Sequence, residues 1–172
     1  MSADNQQERS LDPWYITGFF EGEGCFSVSI HPHPSSRFGW FIDPVVQTYQ
    51  HVDSKVLLER IKSYFDCGAI RPKGPNSNVL TFSVESRRTI KEKMIPHFLK
   101  FPLQGSKSND FDIFCKVLYG LEAKQHFTKE GFIELVQLAF TMNPHGKNRK
   151  YRLEEIVKEI KKSSETTRRT RS

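Results

Sequence analysis

The sequence predicts an α+β fold with an antiparallel sheet and extra helices at its C-terminal end. Three observations predict it. Two stretches alternate apolar and polar residues in hairpin-like pairs, each pair follows a segment of helical character, and only helical patterns come after the second pair. Strands and helices cluster instead of alternating one for one, which argues against a parallel sheet. At 172 residues the chain suffices for one domain with a real core but not comfortably for two.

The elements follow in order. Asp12-Pro13 reads as a helix start, an Asp cap before Pro at the first helical position. Trp14–Glu21 is mostly apolar and ends in Gly22-Glu23-Gly24. From Cys25 to His31, Phe26, Val28 and Ile30 fall on one face and Ser27, Ser29 and His31 on the other, as in a half-buried strand. His31–Ser36 is a loop by its prolines and serines. Strand character returns from Phe38 to Gln50, where Pro44 marks an edge position or a bulge. Asp53 or Ser54 caps a second helix carrying Val56, Leu57, Ile61 and Phe65 on one face, with Gly68 near its end. Ala69–Lys73 and Val79–Val84 flank the turn 74–78. Ser86 starts a third helix to about Leu99, Ser106 or Ser108 a fourth, Thr128 a fifth, and Tyr151–Lys161 is the last. The expected organisation is a flexible leader over 1–11, one domain over 12–162 and a disordered basic tail over 163–172.

Composition narrows the partners. Hydrophobic residues make up 37% of the chain, with 14 Phe, enough for a packed core. No run of about 18 apolar residues exists to span a membrane, and Met1–Arg9 lacks the apolar core of a secretory signal. Cys25, Cys67 and Cys115 are odd in number and widely spaced, so they read as free thiols in a reducing compartment, not as a disulfide or zinc framework. The formal net charge is +6, with a pI near 9.3, and an anionic partner such as nucleic acid follows.

Ile16-Thr17-Gly18-Phe19-Phe20-Glu21-Gly22-Glu23-Gly24 is the most informative stretch. Gly18 and Gly22 share one helix face, and each costs about 1 kcal/mol relative to Ala inside a helix. Close approach of a second backbone is the usual reason for such small-xxx-small spacing. Glu23 stands where the helix dipole is negative, an unfavourable place for a carboxylate that a hard divalent cation would relieve. Taken by itself, Gly-Glu-Gly reads more readily as a solvated helix end with a glycine stop.

These nine residues resemble the signature helix of the LAGLIDADG homing endonucleases. The resemblance continues through Phe41-Ile42-Asp43-Pro44 and Gln47–His51, which look like the family's second strand. Lys93–Leu103 and Pro102–Lys107 look like its third helix and the basic turn that follows. Ala139–Lys147, with Met142-Asn143-Pro144, is similar to its C-terminal helical region, so that about three quarters of the chain fits.

The resemblance implies an αββαββα core with a saddle-shaped sheet. It implies a site-specific DNA endonuclease that hydrolyses both strands of a long double-stranded site with Mg²⁺, for which Mn²⁺ would substitute. By the same resemblance Glu23 is the metal carboxylate, although many members carry Asp there, and the Gly22 carbonyl is a further metal ligand. Gln50 sits near the attacking water; a neutral amide orients water but is no strong base. Lys107 is the active-site lysine, with Lys100 the alternative. Glu21, at the earlier acidic position, is a helix-end residue outside the catalytic set.

The polar strand faces would form the recognition surface: Ser27, Ser29 and His31, then Gln47 and Tyr49, then Arg71, Lys73, Thr81 and Ser83. Arg37 lies in the loop at the edge of that surface, and His145, Lys147, Arg149, Lys150 and Arg152 are assigned to backbone phosphates. One motif copy provides one carboxylate, so cutting both strands calls for a homodimer through Thr17, Gly18, Glu21 and Gly22, and for a near-palindromic site, which the resemblance places at an intron insertion point. The competing readings are an intron RNA maturase and a non-cutting DNA-binding regulator of the same fold. The expected compartment is a chloroplast, a mitochondrion or a microbial cytoplasm, without a membrane partner.

Overall fold

The first helix begins where the Asp-Pro pair places it. In this computed structural model, which describes residues 10–143 and 149–163, the Asp12 carboxylate accepts from the backbone N–H groups of Trp14 at 2.8 Å and Tyr15 at 3.2 Å, satisfying donors that a helix start leaves open. Helix α1 then runs Pro13–Glu23. Strands β1 (Gly24–Pro32) and β2 (Trp40–His51) follow, then α2 (Lys55–Phe65), β3 (Ala69–Pro72) and β4 (Val79–Val84). Next come the short α3 (Arg87–Thr89), a π turn over Ile90–Met94 and α4 (Ile95–Lys100). The expected third helix is thus interrupted. Pro96 has no N–H and its ring crowds the carbonyl four residues back, which the wider π turn relieves. Helices α5 (Lys107–Glu122), α6 (Lys129–Phe140) and α7 (Leu153–Lys162) complete the described chain.

The strands form one sheet in the order β1-β2-β4-β3, and β4 pairs antiparallel with both β2 and β3. Pro44 precedes the stretch Val46–His51 over which β2 is registered to β4, so its missing N–H interrupts no bond of that ladder. Helix α2 ends at Asp66, in the left-handed conformation with φ 47°, two residues before the expected Gly68. Lys93 stabilises that end, its ammonium reaching the Asp66 carboxylate at 2.8 Å.

The described residues fall into two compact units. One comprises the chain up to Cys25 together with Val46–Gly105; the other comprises Phe26–Val45 together with the chain from Ser106 onward. The first unit is built on Phe20, whose ring meets Phe98 at 5.2 Å and Phe65 at 6.1 Å, edge to face, with Ile16, Leu58, Ile61, Phe82, Ile90, Met94 and Ile95 buried as well. The second has its own apolar cluster, in which Phe38, Trp40 and Ile42 of the β2 region join Val117, Phe132, Leu135, Val136, Ile156 and Ile160. Each fully buried side chain of this size contributes about 1.5–3 kcal/mol, so each unit has a substantial core. Among the described residues no helix is long and apolar enough to cross a membrane. None of the three cysteines is in a disulfide and all are half-buried, and burial pushes the Cys115 thiol up to about 12.

Candidate nucleic-acid and metal site

Helix α1 has two unlike faces. Ile16, Thr17 and Phe20 point inward. Trp14 and Tyr15 stand about half exposed, Gly18 and Gly22 are exposed, and a Cβ built on either glycine meets no atom within 4 Å. Among the described residues, nothing lies within 4 Å of the Cβ positions of these two glycines. Thr17, expected on that face, belongs to the other. At 3% exposure its hydroxyl donates to the Phe101 carbonyl at 2.9 Å and lies 3.2 Å from His97 Nε2. Because the hydroxyl proton is committed to Phe101, the His97 ring must donate from Nε2, and its Nδ1, 3.0 Å from the Tyr64 hydroxyl, accepts. Burial moves His97 from 6.5 to about 4, so the ring is neutral at ordinary pH. This network, invisible to local patterning, seats the helix.

The C-terminal end of α1 carries two carboxylates with different fates. Glu21 is half-buried and accepts from the backbone N–H of Gln104 at 2.9 Å. A Cβ on Gly105 would lie 2.6 Å from the same carboxylate, so the glycine makes room for it. Glu21 is thus engaged within its own chain, as expected of a helix-end residue. Glu23, two residues on, is exposed, and the last turn holds no basic residue. The negative end of the helix dipole and an exposed carboxylate coincide there, a combination suited to a hard cation. Among the described residues no group of three or more His, Cys, Asp or Glu gathers as a ready-made metal cage. One carboxylate with main-chain oxygen fits Mg²⁺ nonetheless, since that ion keeps several waters and takes phosphate oxygens for the rest of its shell.

Strand β2 divides its residues by parity. Val46 and Thr48 face the core and are fully buried; Gln50, next in that series, is half-buried near the strand end, its side-chain oxygen accepting from the His51 N–H at 3.1 Å. Gln47 and Tyr49 take the opposite face. There Gln47 pairs across to Ser83 and Tyr49 to Thr81, and Thr81 in turn pairs to Arg71. The expected reading residues of β2, β3 and β4 therefore share one face of the sheet. Ser83 is the exception in exposure: it is buried at 8%, and its hydroxyl donates to Glu85 at 3.2 Å. Lys73 is exposed, with its ammonium 4.6 Å from the Tyr49 ring centre.

The second unit holds the remaining candidates. Ser27, Ser29 and His31 alternate with Phe26, Val28 and Ile30 along β1 as expected; Ser29 is exposed, whereas the Ser27 hydroxyl leans 3.4 Å onto the Val45 carbonyl. His31 forms a ring group with His33 and Phe41, centres 5.5–6.4 Å apart. Arg37 is exposed. Lys107 opens α5 in this unit, whereas Lys100 lies exposed at the end of α4 in the first. Arg149 departs from its expected role. Its guanidinium donates to the carbonyls of Ala139 at 2.7 Å and Met142 at 3.2 Å and stacks 4.2 Å over the Phe140 ring, so it closes the end of α6 in place of reaching outward. Lys147 and His145 lie outside the described residues, as does most of the expected leader and tail.

Comparison with known proteins agrees with this geometry. The chain is 29% identical over 150 residues to the homing endonuclease I-ApeII of Aeropyrum pernix, covering 85% of this chain and 88% of that one. It is 30% identical over 133 residues to the probable intron-encoded endonuclease 2 of Neurospora crassa, covering 77% of this chain. It spans only 25–29% of the length of that protein and two other fungal relatives. Among solved structures, the archaeal intron-encoded homing endonuclease I-Vdi141I, complexed with DNA, superposes with a TM-score of 0.80 at 30% identity, covering 87% of this chain and 94% of that one. The homing endonuclease I-TnaI gives 0.79 at 30% identity, covering 88% and 99%. The model of the LAGLIDADG endonuclease family matches residues 16–118, more than half of the chain, and the chain belongs to that family.

Proposed function

We propose that the protein is a site-specific homing endonuclease that hydrolyses both strands of a long, near-palindromic duplex as a metal-dependent homodimer. The observation that carries the reading is Glu23: an exposed carboxylate on a helix end with no basic neighbour in its turn, beside a second carboxylate already engaged by Gln104. Glu23, with the Gly22 carbonyl, would hold Mg²⁺, or Mn²⁺ in its place. When bound, the ion supplies Lewis-acid stabilisation of the charge that develops on the scissile phosphate.

The chain's own groups do the rest. Gln50 shares the core-side parity of β2, away from the base-reading residues, which suits it to orient a water at the cleavage point and not to read sequence. Its amide holds that water by hydrogen bonds without taking its proton. Lys107, or Lys100 in the alternative, donates to phosphate oxygens and stabilises their negative charge. The exposed Trp14, Tyr15, Gly18 and Gly22 face of α1 is where a second copy docks, bringing a second Glu23 for the second strand. Glu21 stays beside that face while held by Gln104, and Thr17 supports it from behind. Ser29, His31, Gln47, Tyr49, Arg71, Lys73 and Thr81 read the duplex, with Ser27, Ser83 and Arg37 beside them. The intron-encoded relatives support an intron insertion site as the target, and an organelle or a microbial cytoplasm as the setting.

The test is selection of cleaved sites from a randomised duplex library with Mg²⁺, with EDTA, and with Glu23→Gln. Cleavage only by the wild type with metal, at sites showing two-fold symmetry, is expected. Binding without cleavage under every condition would leave a DNA- or RNA-binding protein of the same fold, and asymmetric sites would remove the homodimer.

A further inference from the structure

On the polar face of β2, β4 and β3, the side-chain acceptors of Gln47 and Glu85 are engaged internally. The Tyr49 hydroxyl donates to Gln47 Oε1 at 2.7 Å. Glu85, just past the end of β4, accepts from the Ser83 hydroxyl at 3.2 Å and lies 3.9 Å from the Arg71 guanidinium. What remains outward is rich in donors: the Gln47 Nε2 hydrogens, the guanidinium of Arg71 and the ammonium of Lys73, the last two having no acceptor at all.

We propose that Tyr49 fixes Gln47 as a hydrogen-bond donor, so that this part of the surface reads guanine where a free glutamine would read adenine. The inference rests on the DNA-reading role proposed above and names the base class that role selects. Guanine shows two acceptors, O6 and N7, in the major groove, whereas adenine pairs N7 with a donor, N6. Bidentate recognition of adenine needs the glutamine oxygen and its Nε2 hydrogens side by side toward the base. The bond to Tyr49, two residues along the same face, turns that oxygen along the strand. One lone pair on it stays free, but it no longer lies beside the Nε2 hydrogens in the outward direction.

The rest of the face holds the arrangement in place. Lys73 sits over the Tyr49 ring, a cation–π contact that fixes the ring and adds a further donor. Burial, with Cys25 next in effect, raises the Tyr49 hydroxyl above its ordinary value, so it remains a donor across the working pH range. Tyr49 is thus a positioning residue that acts through Gln47. Tyr49→Phe is the discriminating variant because it keeps the ring under Lys73 and removes only the hydroxyl.

The experiment is selection of bound duplexes from a randomised library in Ca²⁺, using wild type, Tyr49→Phe and Gln47→Glu. Gln47→Glu, an acceptor, moves one position in each half-site to cytosine and so marks the base that residue 47 reads. At that position the wild type should favour guanine over adenine, and Tyr49→Phe should move the ratio toward adenine by about fivefold, the low end of a bidentate base contact. The shift is readable from Tyr49→Phe alone if Gln47→Glu does not fold. A wild type that selects adenine there, or a Tyr49→Phe profile identical to wild type at every position, overturns the inference while leaving the endonuclease reading intact. A wild type that enriches no sequence at all overturns both. A structural role for Tyr49 would lower affinity for all sequences alike and leave base preference where it was.

Discussion

The two faces of helix α1 make the same eleven residues serve opposite ends. Inward, Ile16, Thr17 and Phe20 are buried, and Thr17 is tied to His97 and Phe101. Outward, Trp14 and Tyr15 stand half exposed, and the two glycines face open space. The inward face is packed against its own chain; outward, Trp14 meets the Phe101 ring edge-on at 5.4 Å, while the glycine positions forgo helix stability with no described atom within 4 Å of a Cβ built there. A helix seated by one face leaves its glycine positions and its tip exposed. The tip is Glu23.

The largest effect should come from the tip itself. Glu23→Gln is expected to lower cleavage by about a thousandfold or more, a loss of several kcal/mol of transition-state stabilisation, with duplex binding in Ca²⁺ retained. Undiminished cleavage would remove Glu23 from the chemistry and leave both faces of α1 without a catalytic purpose.

The inward face should make the fold acid-sensitive. His97 is held neutral at about 4 against an ordinary 6.5, so between those values the unfolded chain binds the proton more tightly than the folded one. Stability is complete above about 6.5, falls as pH drops through this window, and stops falling on this account below about 4. The total is up to about 3 kcal/mol. Urea unfolding of wild type and His97→Gln across that range should show the slope in the first and a flattened limb in the second; equal slopes would mean that the ring is not buried neutral.

A smaller loss, about 2 kcal/mol, is expected of Thr17→Val, which leaves the Phe101 carbonyl and the His97 N–H unpaired. Here the melting temperature should fall while self-association of the folded protein is unchanged. Weakened association at equal stability would put Thr17 back on the outward face. The smallest effect has the opposite sign. Gly18→Ala meets no atom of its own chain and should stabilise the monomer by up to about 1 kcal/mol, yet loosen the dimer seen by sedimentation. Unchanged or tighter self-association in that variant would show that the glycine face is not where two copies meet.

Much of this was legible from local rules. The Asp12 cap, the Gly18/Gly22 spacing, the alternation in β1 and β4 and the Thr128 cap of α6 each depend on residues a few positions apart, and each appears where the pattern places it. The partners that seat the site are separated by eighty residues or more. Thr17 meets His97 across 80 positions and Glu21 meets Gln104 across 83, and no periodicity carries such pairs. Arg149 was misleading for a related reason. A basic residue in a basic stretch suggests phosphate, but the carbonyls that end α6 are nearer, and the Phe140 ring completes a pocket that suits the guanidinium. Glu85 carried no signal of its own, because its part in holding Ser83 and Arg71 exists only once β3 and β4 are paired.

Strand β2 alternates its duties residue by residue: Gln47 and Tyr49 on the polar face, Thr48 and Gln50 on the other. Such a strand cannot change length. Inserting or deleting one residue between Thr48 and Gln50 would exchange the two faces beyond that point, turning Gln50, proposed to orient the water, toward the face proposed to read bases, and a residue of that face into the core. On the proposed function, new targets would be reached by exchanging side chains on the odd positions, whereas indels within β2 would remove recognition and catalysis together.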